Sequence, residues 1–496
     1  GKKARSLTGL NVFWYDNPVD NNKDGFTDVT LQKRFSLFQK LEFDRPGAKV
    51  FSLAGRYMYE DRWGGEMNWS PEFRGGDEIY GESIFTSRWE LFGNYELPRF
   101  KNVNFQFSAN GHHQNSVYGE TIYIADQKIG FGQLTYRKEA GINNLLLGAA
   151  YRYTYYDDNT VATSGDGSLN NPSVIHLPGV FVQNELNLSP KSTVLAGVRY
   201  DYNSIHGSVI SPRLNYKLTS LDKTSILRIS AGNGFRVANV FTEDHAALTG
   251  AREVVFEEEL NPERSWNGNV NLVKKIYSMG GNYYSFDGTV FYTHFTNRIV
   301  PDYETNPNQI IYANLDGKAV SKGVSLNFDA AFQSGLNLMA GATLMDVSLE
   351  EGGEKVRQLL TERFSGVWNI GYHLHALHLQ IDYTGNVYSP MRLPLLGELD
   401  DRPEYSSWFS IQNIQVSKKL GNFEIYGGVK NLLNFTPPSN SIARSFDPFD
   451  RGVEFDESGQ VIPTASNPNA LTFDPTYVFA PNQGIRGFLG VRFTIQ

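Results

Sequence analysis

The chain has 496 residues, no cysteine and a formal net charge of -8; this removes disulfide frameworks and thiolate metal sites, and no basic patch is present that would take nucleic acid as a partner. It is rich in aromatic residues and glycine, with 33 Phe, 27 Tyr and 47 Gly, yet no apolar run approaches the ~18 residues that a membrane-spanning helix needs. A mean hydropathy of -0.37 still suits a transmembrane barrel, because half of each strand's side chains face a wet lumen.

Gly1-Lys-Lys-Ala-Arg-Ser-Leu carries charge without an apolar core behind it, so it is not a signal peptide, and the chain is expected to be a processed or partial product. Segments of alternating polarity then follow one another. Ser6 to Tyr15 and Phe26 to Phe43 are joined by the polar loop Asp16 to Gly25, and the tight Asp44-Arg-Pro-Gly-Ala leads into Val50 to Tyr59. The long loop Glu60 to Ser83 precedes Phe85 to Leu97, and a turn at Pro98 to Asn102 precedes Val103 to His113. Thr121 to Arg137 and Leu145 to Tyr156 are joined by a turn, Asp157 to His176 is long again, and Val180 to Leu188, Val194 to Tyr202 and Val209 to Leu218 follow on short connections.

In the next stretch, Ser225 to Val240, the first half alternates strictly: Leu227, Ile229 and Ala231 take one face and Arg228, Ser230 and Gly232 the other. A loop of roughly 25 residues then separates it from a strand starting at Pro262 or Glu263, an open end of the kind that carries function. Further strands are expected at Arg264 to Ile276, Ser285 to Val300, Ile310 to Phe332, Leu336 to Val347, Arg363 to Leu374, Leu377 to Tyr388, Tyr405 to Lys418, Phe423 to Leu433 and Ile485 to Ile495. The connections Gln333-Ser-Gly, His375-Ala and Lys419-Leu-Gly-Asn are short, while Ser348 to Thr361, Ser389 to Glu404 and Asn434 to Gly484 are long.

About twenty strands with short turns at one end and long loops at the other describe an all-β, antiparallel transmembrane barrel, with turns periplasmic and loops extracellular. The faces agree: Leu489, Val491, Phe493 and Ile495 alternate with Gly490, Arg492 and Thr494, and Val194, Ala196, Val198 and Tyr200 with Gly197, Arg199 and Asp201. Apolar side chains thus meet lipid and charges turn inward, whereas a soluble sandwich rarely strings together so many hairpins. No domain seam is visible, so residues 1–496 read as one barrel domain in the outer membrane, in contact with its lipids and lipopolysaccharide.

Five short runs carry a resemblance. Ser211-Pro-Arg-Leu-Asn-Tyr, Gly232-Asn-Gly-Phe-Arg-Val, Leu260-Asn-Pro-Glu-Arg-Ser, Gly323-Val-Ser-Leu and Val429-Lys-Asn-Leu-Leu-Asn-Phe, in this order and spacing, resemble the barrel of a TonB-dependent outer-membrane receptor. Within them Gly234, Phe235, Arg236, Pro262 and Glu263 bear the family pattern, and the loop wording at Glu243-Asp-His-Ala-Ala-Leu-Thr-Gly-Ala-Arg and Phe473-Asp-Pro-Thr-Tyr is similar to receptors of the Bacteroidetes group. The resemblance implies a 22-stranded barrel closed by an N-terminal plug, with a TonB box through which the periplasmic TonB complex drives import of a scarce solute such as a siderophore-iron complex or cobalamin. A surface lipoprotein is a further partner it suggests. Neither plug nor TonB box is in this chain, and one hairpin is expected upstream of Gly1; an unfilled barrel of this circumference would leave a wide channel. The alternative is an ungated channel or a structural barrel subunit of a larger outer-membrane assembly.

The loops supply the candidate sites. Asp20, Asn22, Asp24 and Asp28, with Gly25 for a sharp turn, match the first half of a calcium loop without its final bidentate Glu; the same residues also form polar turns with no metal. Trp63, Trp69, Phe73 and Tyr80 lie among glycines and would either stack on a planar ligand or pack the loop on itself. Glu253, Glu257, Glu258 and Glu259 would bind a cation or form a solvated face. His112 and His113 at an outer strand end, and Glu243, His245 and Arg252 in the motif-bearing loop, are further candidates for ligand contact, although no His set has ligand spacing. No nucleophile elbow, phosphate-binding Gly loop or zinc motif is present, so no enzyme is expected.

Overall fold

Alternating polarity gives a strand two different faces, and short turns then force each strand to pair with its successor. The computed structural model, which describes residues 3–164, 170–243, 252–302, 305–306, 309–351, 354–457 and 459–495, follows this rule from one end to the other. Among the described residues one sheet contains 21 strands. Its members run in antiparallel succession from Ala4–Tyr15 to Arg486–Phe493, except that the short Glu354–Arg357 merely extends Leu336–Glu351 beyond the wall. Twenty wall strands remain, as the alternation predicts.

The register shows why the faces separate. Ser225–Arg236 sets Leu227 opposite Leu218 and Leu272, and Ile229 opposite Tyr216 and Val270, while Arg228 stands opposite Lys217 and Asn271. Apolar rows are therefore continuous around the outside, where Leu214, Ile229, Val270 and Leu272 are all exposed. In water this would be one large apolar patch; against acyl chains it is the expected surface. Polar ladders occupy the inside: Arg228 Nη1 donates to Asn271 Oδ1 at 2.8 Å, Asn271 Nδ2 to Asp287 Oδ1 at 2.7 Å, and Arg199 holds Asp201 through two bonds of 2.6 Å. Thr121–Ala140 has 20 residues, about twice the length that crosses a bilayer, so such strands continue past the membrane into the loop region.

The short turns use left-handed backbone where the chain must reverse. Gly335, at φ 90°, joins Gly317–Ala331 to Leu336–Glu351, and a Cβ there would overlap the carbonyl oxygen of His373. His378, at φ 49°, closes the turn His375–Leu377. The His373, His375 and His378 group thus belongs to a periplasmic turn.

Several expected strands have different limits: Val180 to Leu188 begins at Ser173 and Tyr405 to Lys418 at Phe409. Phe26 to Phe43 begins only at Leu31, because Thr27 N donates to Gly65 O and Asp28 N to Val19 O, which ties that segment into the loops. Ser285 to Val300 divides into Tyr283–Asn297 and Ile299–Asp302, and Ile310 to Phe332 into Gln309–Asn314 and Gly317–Ala331. The outer pieces join Glu253–Phe256 in a separate three-stranded sheet, parallel on one side and antiparallel on the other. Alternation continues across each break, so periodicity alone cannot reveal the change of sheet.

This small sheet lies in the mouth of the barrel. Ile310 and Tyr312 pack against Ile84, Tyr118, Tyr123 and Tyr156, which are inward-facing residues of Gly81–Glu96, Val103–Tyr118, Thr121–Ala140 and Asn143–Asp158. Those strands lie up to half the wall series away from the strands that launch the sheet. Two loops therefore reach across the opening and bury their apolar side chains on the far wall. No helix among the described residues is long and apolar enough to cross a membrane.

Candidate functional site

The long loops form a cap over the mouth, fixed by a few specific contacts. Arg252, from the motif-bearing loop, donates through Nε and Nη2 to Asp474 Oδ2 at 3.0 and 2.7 Å; the two side chains are 1% and 2% exposed and 222 residues apart. Asp474 Oδ1 accepts from Thr476 N at 2.6 Å, and its backbone bonds to Ala443 in both directions. The guanidinium is thus enclosed in the cap. Nearby, Arg444 pairs with Asp447 and lies 3.6 Å from Asp450. Burial pushes the Asp450 carboxyl up to about 6 although Phe473 N donates to it at 2.8 Å.

Beside this pair Phe26, Tyr80, Ile442 and Phe473 form a buried cluster, with the Phe473 ring 5.9 Å from Phe26 and 4.7 Å from Tyr80. Arg451 reaches Asp77 Oδ2 at 3.0 Å from the last loop to the Glu66–Tyr80 region. Trp63 and Trp69 meet with tilted rings, centroids 4.7 Å apart, and a Cβ on Gly81 would overlap the Trp69 ring. Trp69 and Tyr80 are buried, so these aromatics pack the loop on itself.

The family-pattern residues stand where loops leave the wall. Arg236 and Glu263 are direct cross-strand partners, bonded at 2.8 and 2.6 Å, and Glu263 also accepts from Ile299 N at 3.3 Å. Asn297 Nδ2 donates to the carbonyl of Pro262 at 3.0 Å, and Asn314 Nδ2 to that of Glu259 at 2.8 Å. The motif therefore clamps the base of its own loop. Asn431 does the same for the last one, donating to Phe435 O and Gln483 O at 2.7 and 2.9 Å. Gly234 has open space where a Cβ would lie, and nothing in the structure explains its identity.

In the acidic loop, Asp20 accepts from Lys23 N and Gly25 N at 2.7 and 3.1 Å, and Asp24 accepts from Phe26 N at 2.9 Å and Asn22 Nδ2 at 2.8 Å. Asp28 Oδ2 accepts from Asn21 N at 2.7 Å, whereas its Oδ1 is buried with no donor. Burial raises the carboxyls of both Asp24 and Asp28, and the neighbouring Asp20 adds to it. Among the described residues no three His, Asp or Glu side chains gather around one point that would hold a metal ion.

His112 and His113 point to opposite faces. His113 Nδ1 meets Asp126 Oδ1 at 3.0 Å, opposite it in the outward-facing row, while His112 turns inward with Nδ1 buried and unbonded. Adjacent strand positions cannot present both rings to one ligand. Glu243 ends the four-residue turn of helix Val240–Glu243, and His245 lies outside the described residues. Glu253 accepts from Gln309 Nε2 at 2.8 Å and Glu258 from Asn314 N at 2.9 Å, so part of the glutamate run fastens the small sheet.

Between the cap and the inner wall lies a cavity of about 740 Å³. Gln127, Arg152, Asn203 and, at the end of Ser225–Arg236, Phe235 and Arg236 line it from the wall; Phe256 and Leu260 line it from the motif-bearing loop. Arg152 is exposed there and forms no salt bridge among the described residues. Arg152 is one of many inward cations, and no local pattern singles it out, because alternation gives its face but not its neighbours.

A family model described as TonB dependent receptor-like, beta-barrel matches residues 3–432. No curated protein sequence matches the chain. Among solved structures, the ferric enterobactin receptor PfeA of Pseudomonas aeruginosa is 13% identical over 99% of this chain and 75% of that chain, with a TM-score of 0.66. The siderophore receptor PiuA of Acinetobacter baumannii is 10% identical over 99% of this chain and 78% of that chain, with a TM-score of 0.65. The siderophore receptor PirA of Acinetobacter baumannii is 13% identical over 99% of this chain and 76% of that chain, with a TM-score of 0.66. At such identities these likenesses concern the fold. The family model covers most of the sequence and the wall is one antiparallel series of twenty strands among the described residues, two short of the 22 that the resemblance implies; this chain belongs to the TonB-dependent receptor family as an outer-membrane β-barrel and not an enzyme.

Proposed function

We propose that the chain imports a solute too large for an open pore, of the siderophore-iron or cobalamin class, and that the cavity beneath the motif-bearing loop is its outer binding site. The supporting observation is the exposed, unbridged Arg152 guanidinium in a chamber of about 740 Å³ that is roofed by the cap and faces the lumen. Such a mixture of apolar walls with a few convergent polar groups is what ligand pockets share. The test is saturable binding of ferric enterobactin and of cyanocobalamin to the purified protein, with uptake measured in cells. Arg152→Ala is expected to weaken binding at least ~10-fold, a loss of about 1.4 kcal/mol. No saturable binding, together with steady conductance across a planar bilayer, would favour an ungated channel instead.

Calcium belongs to the same proposal. The Asp28 oxygen left without a donor, beside the carboxylates of Asp20 and Asp24 and the amide of Asn22, is what an oxygen-seeking cation would neutralise. Calcium is then expected to raise the melting temperature of the cap relative to EDTA. Superimposable melting curves would remove the ion from the proposal.

A further inference from the structure

The outer wall is not uniformly ridged. A shallow apolar groove of about 470 Å³ runs down four neighbouring strands, Glu263–Tyr277, Tyr283–Asn297, Gly317–Ala331 and Leu336–Glu351. Register builds it: Leu272, Gly288, Leu326 and Ala342 stand in one outward row, and Lys274, Phe286, Phe328 and Ala340 in the row nearer the periplasmic turns. Gly288 is a low point between ridges formed by Leu272 and Leu326, which are 55% and 58% exposed, and Ala342 and Ala340 make a second low strip on the far side of Leu326 and Phe328.

Its inner rim carries a charge. Lys274 is an outward residue three positions from the end of its strand, and Nζ donates to Ser225 Oγ at 2.9 Å and Thr224 Oγ1 at 3.2 Å. Both partners are hydroxyls, so no salt bridge neutralises the ammonium among the described residues. Asp222 stands in the adjoining turn, close enough for its charge to act on Lys274 but without an ion pair between them, and its oxygens accept from Ser220 Oγ, Thr224 N and Thr224 Oγ1 at 2.5, 3.1 and 2.9 Å. A lysine on the lipid side is stable when its head reaches an anionic surface and its stem lies along apolar neighbours.

A second groove, of about 500 Å³, separates the two features. It is walled by Val182, Ala196, Pro212, Leu214 and Trp266, and its one cation, Arg213, turns to the lumen and donates to Gln183. Apolar depth is thus present twice on the wall, and depth with an outward cation at the periplasmic rim only in the first of these grooves.

We propose that the first groove binds one phospholipid of the periplasmic leaflet, with its phosphate on Lys274 Nζ beside the Ser225 and Thr224 hydroxyls and its two acyl chains on either side of the Leu326–Phe328 ridge, one over Gly288 and one along Ala342 and Ala340. The leaflet follows from the position of Lys274 at the short-turn end of the wall; lipopolysaccharide, at the opposite rim, would leave the lysine without its phosphate.

The test is native mass spectrometry of the purified full chain in detergent, titrated with phosphatidylglycerol. A single adduct is expected, weakened ~10-fold or more by the double substitution Ala340→Leu and Ala342→Leu. Lys274→Gln is expected to remove the preference for phosphatidylglycerol over an uncharged diacylglycerol while leaving acyl-chain binding. Ala231→Leu, in the second groove, serves as the control and is expected to change neither. Trp368, the cross-strand partner of Ala340, gives a second readout: phosphatidylglycerol with brominated chains should quench it at low mole ratio, and Trp368→Phe should abolish that part of the quench. Unchanged affinity and headgroup preference in the groove-filling and Lys274 variants would overturn the proposal, as would tighter binding of lipopolysaccharide. Circular dichroism of each variant separates a lost lipid from a lost fold.

Discussion

The wall and the cap are built on opposite principles. Among the described residues every wall strand between the first and the last is bonded to neighbours on both sides, so the loss of one side chain is shared among many backbone pairs, as along Ser225–Arg236 with its two partners. The cap relies on a few local contacts between distant segments: among the described residues one buried ion pair, three apolar clusters and one surface bridge join the loops to each other and to the wall. Rigidity in the wall is therefore distributed, and closure of the mouth is concentrated in a handful of residues. A receptor that must hold its shape in the membrane and yet admit a solute needs such a division, because loops that move come from the less stable part of a structure.

The largest effect is expected where the cap depends on one interaction. Arg252→Ala leaves Asp474 buried without its partner, which costs about 3–5 kcal/mol when one member of an enclosed pair is removed. Hydrogen exchange of Ala443 and Asp474 should accelerate strongly, while strands such as Thr121–Ala140 keep their protection. Replacing both members, Arg252→Met with Asp474→Leu, should restore most of it, since an apolar pair carries no desolvation penalty. If the wall loosens as much as the cap in Arg252→Ala, the two regions are not independent.

Phe473→Ala comes next. The ring is buried between Phe26 and Tyr80, and deleting it should destabilise the cap by about 3 kcal/mol, near the low end for a buried phenylalanine. Limited proteolysis within residues 434–484 is the measurement. Cleavage should become faster there and remain unchanged at the periplasmic turns.

The same division governs what can be read from the sequence. Wall strands are visible one by one, since Leu227, Ile229 and Ala231 declare their face without reference to any other residue. The cap is not visible in this way. Ile310 to Phe332 alternates as one strand but serves two sheets, because period two records faces and is silent about partners. Arg252 stands out in its loop, yet its partner lies 222 residues away in a different loop, and no local pattern pairs them. The recurring motifs fall between these cases: Arg236, Glu263 and Asn431 mark loop bases that the structure shows to be hydrogen-bonded clamps. The acidic loop read as a calcium half-site proves rich in turn hydrogen bonds, and only the oxygen of Asp28 stands apart from them.

Acidity provides a graded perturbation of the cap. Burial raises Asp450 to about 6 in the folded protein, above its ordinary value near 3.9. A group raised by folding contributes stability that is fully present below its unfolded pKa and is lost as pH rises through the folded one. The cap should therefore be tighter near pH 4 than at pH 7.5, by on the order of 2–3 kcal/mol locally. Asp450→Asn should flatten this dependence, with hydrogen exchange at Phe473 compared against the parent chain at each pH. A parent chain whose cap loosens between pH 7 and 5 would contradict the assignment.

The smallest effect is expected in the wall, and its smallness is the point. Arg228→Ala removes a bond of 2.8 Å to Asn271 on the lumen side, worth about 0.5–1.5 kcal/mol. Asn271 keeps its bonds to Asp287 and Thr289, and the backbone ladder on both sides of Ser225–Arg236 is untouched. The melting temperature of the barrel should stay within a degree or two, since a domain of this size spreads such a loss over a large unfolding entropy. Exchange in the cap should not change at all, because Arg228 sits toward the periplasmic half of its strand, eight residues from Arg236 where the motif-bearing loop begins. A detectable opening of the cap in this variant would mean that the polar ladder of the lumen transmits to the mouth, and the concentration of control in Arg252, Asp474 and Phe473 would have to be abandoned.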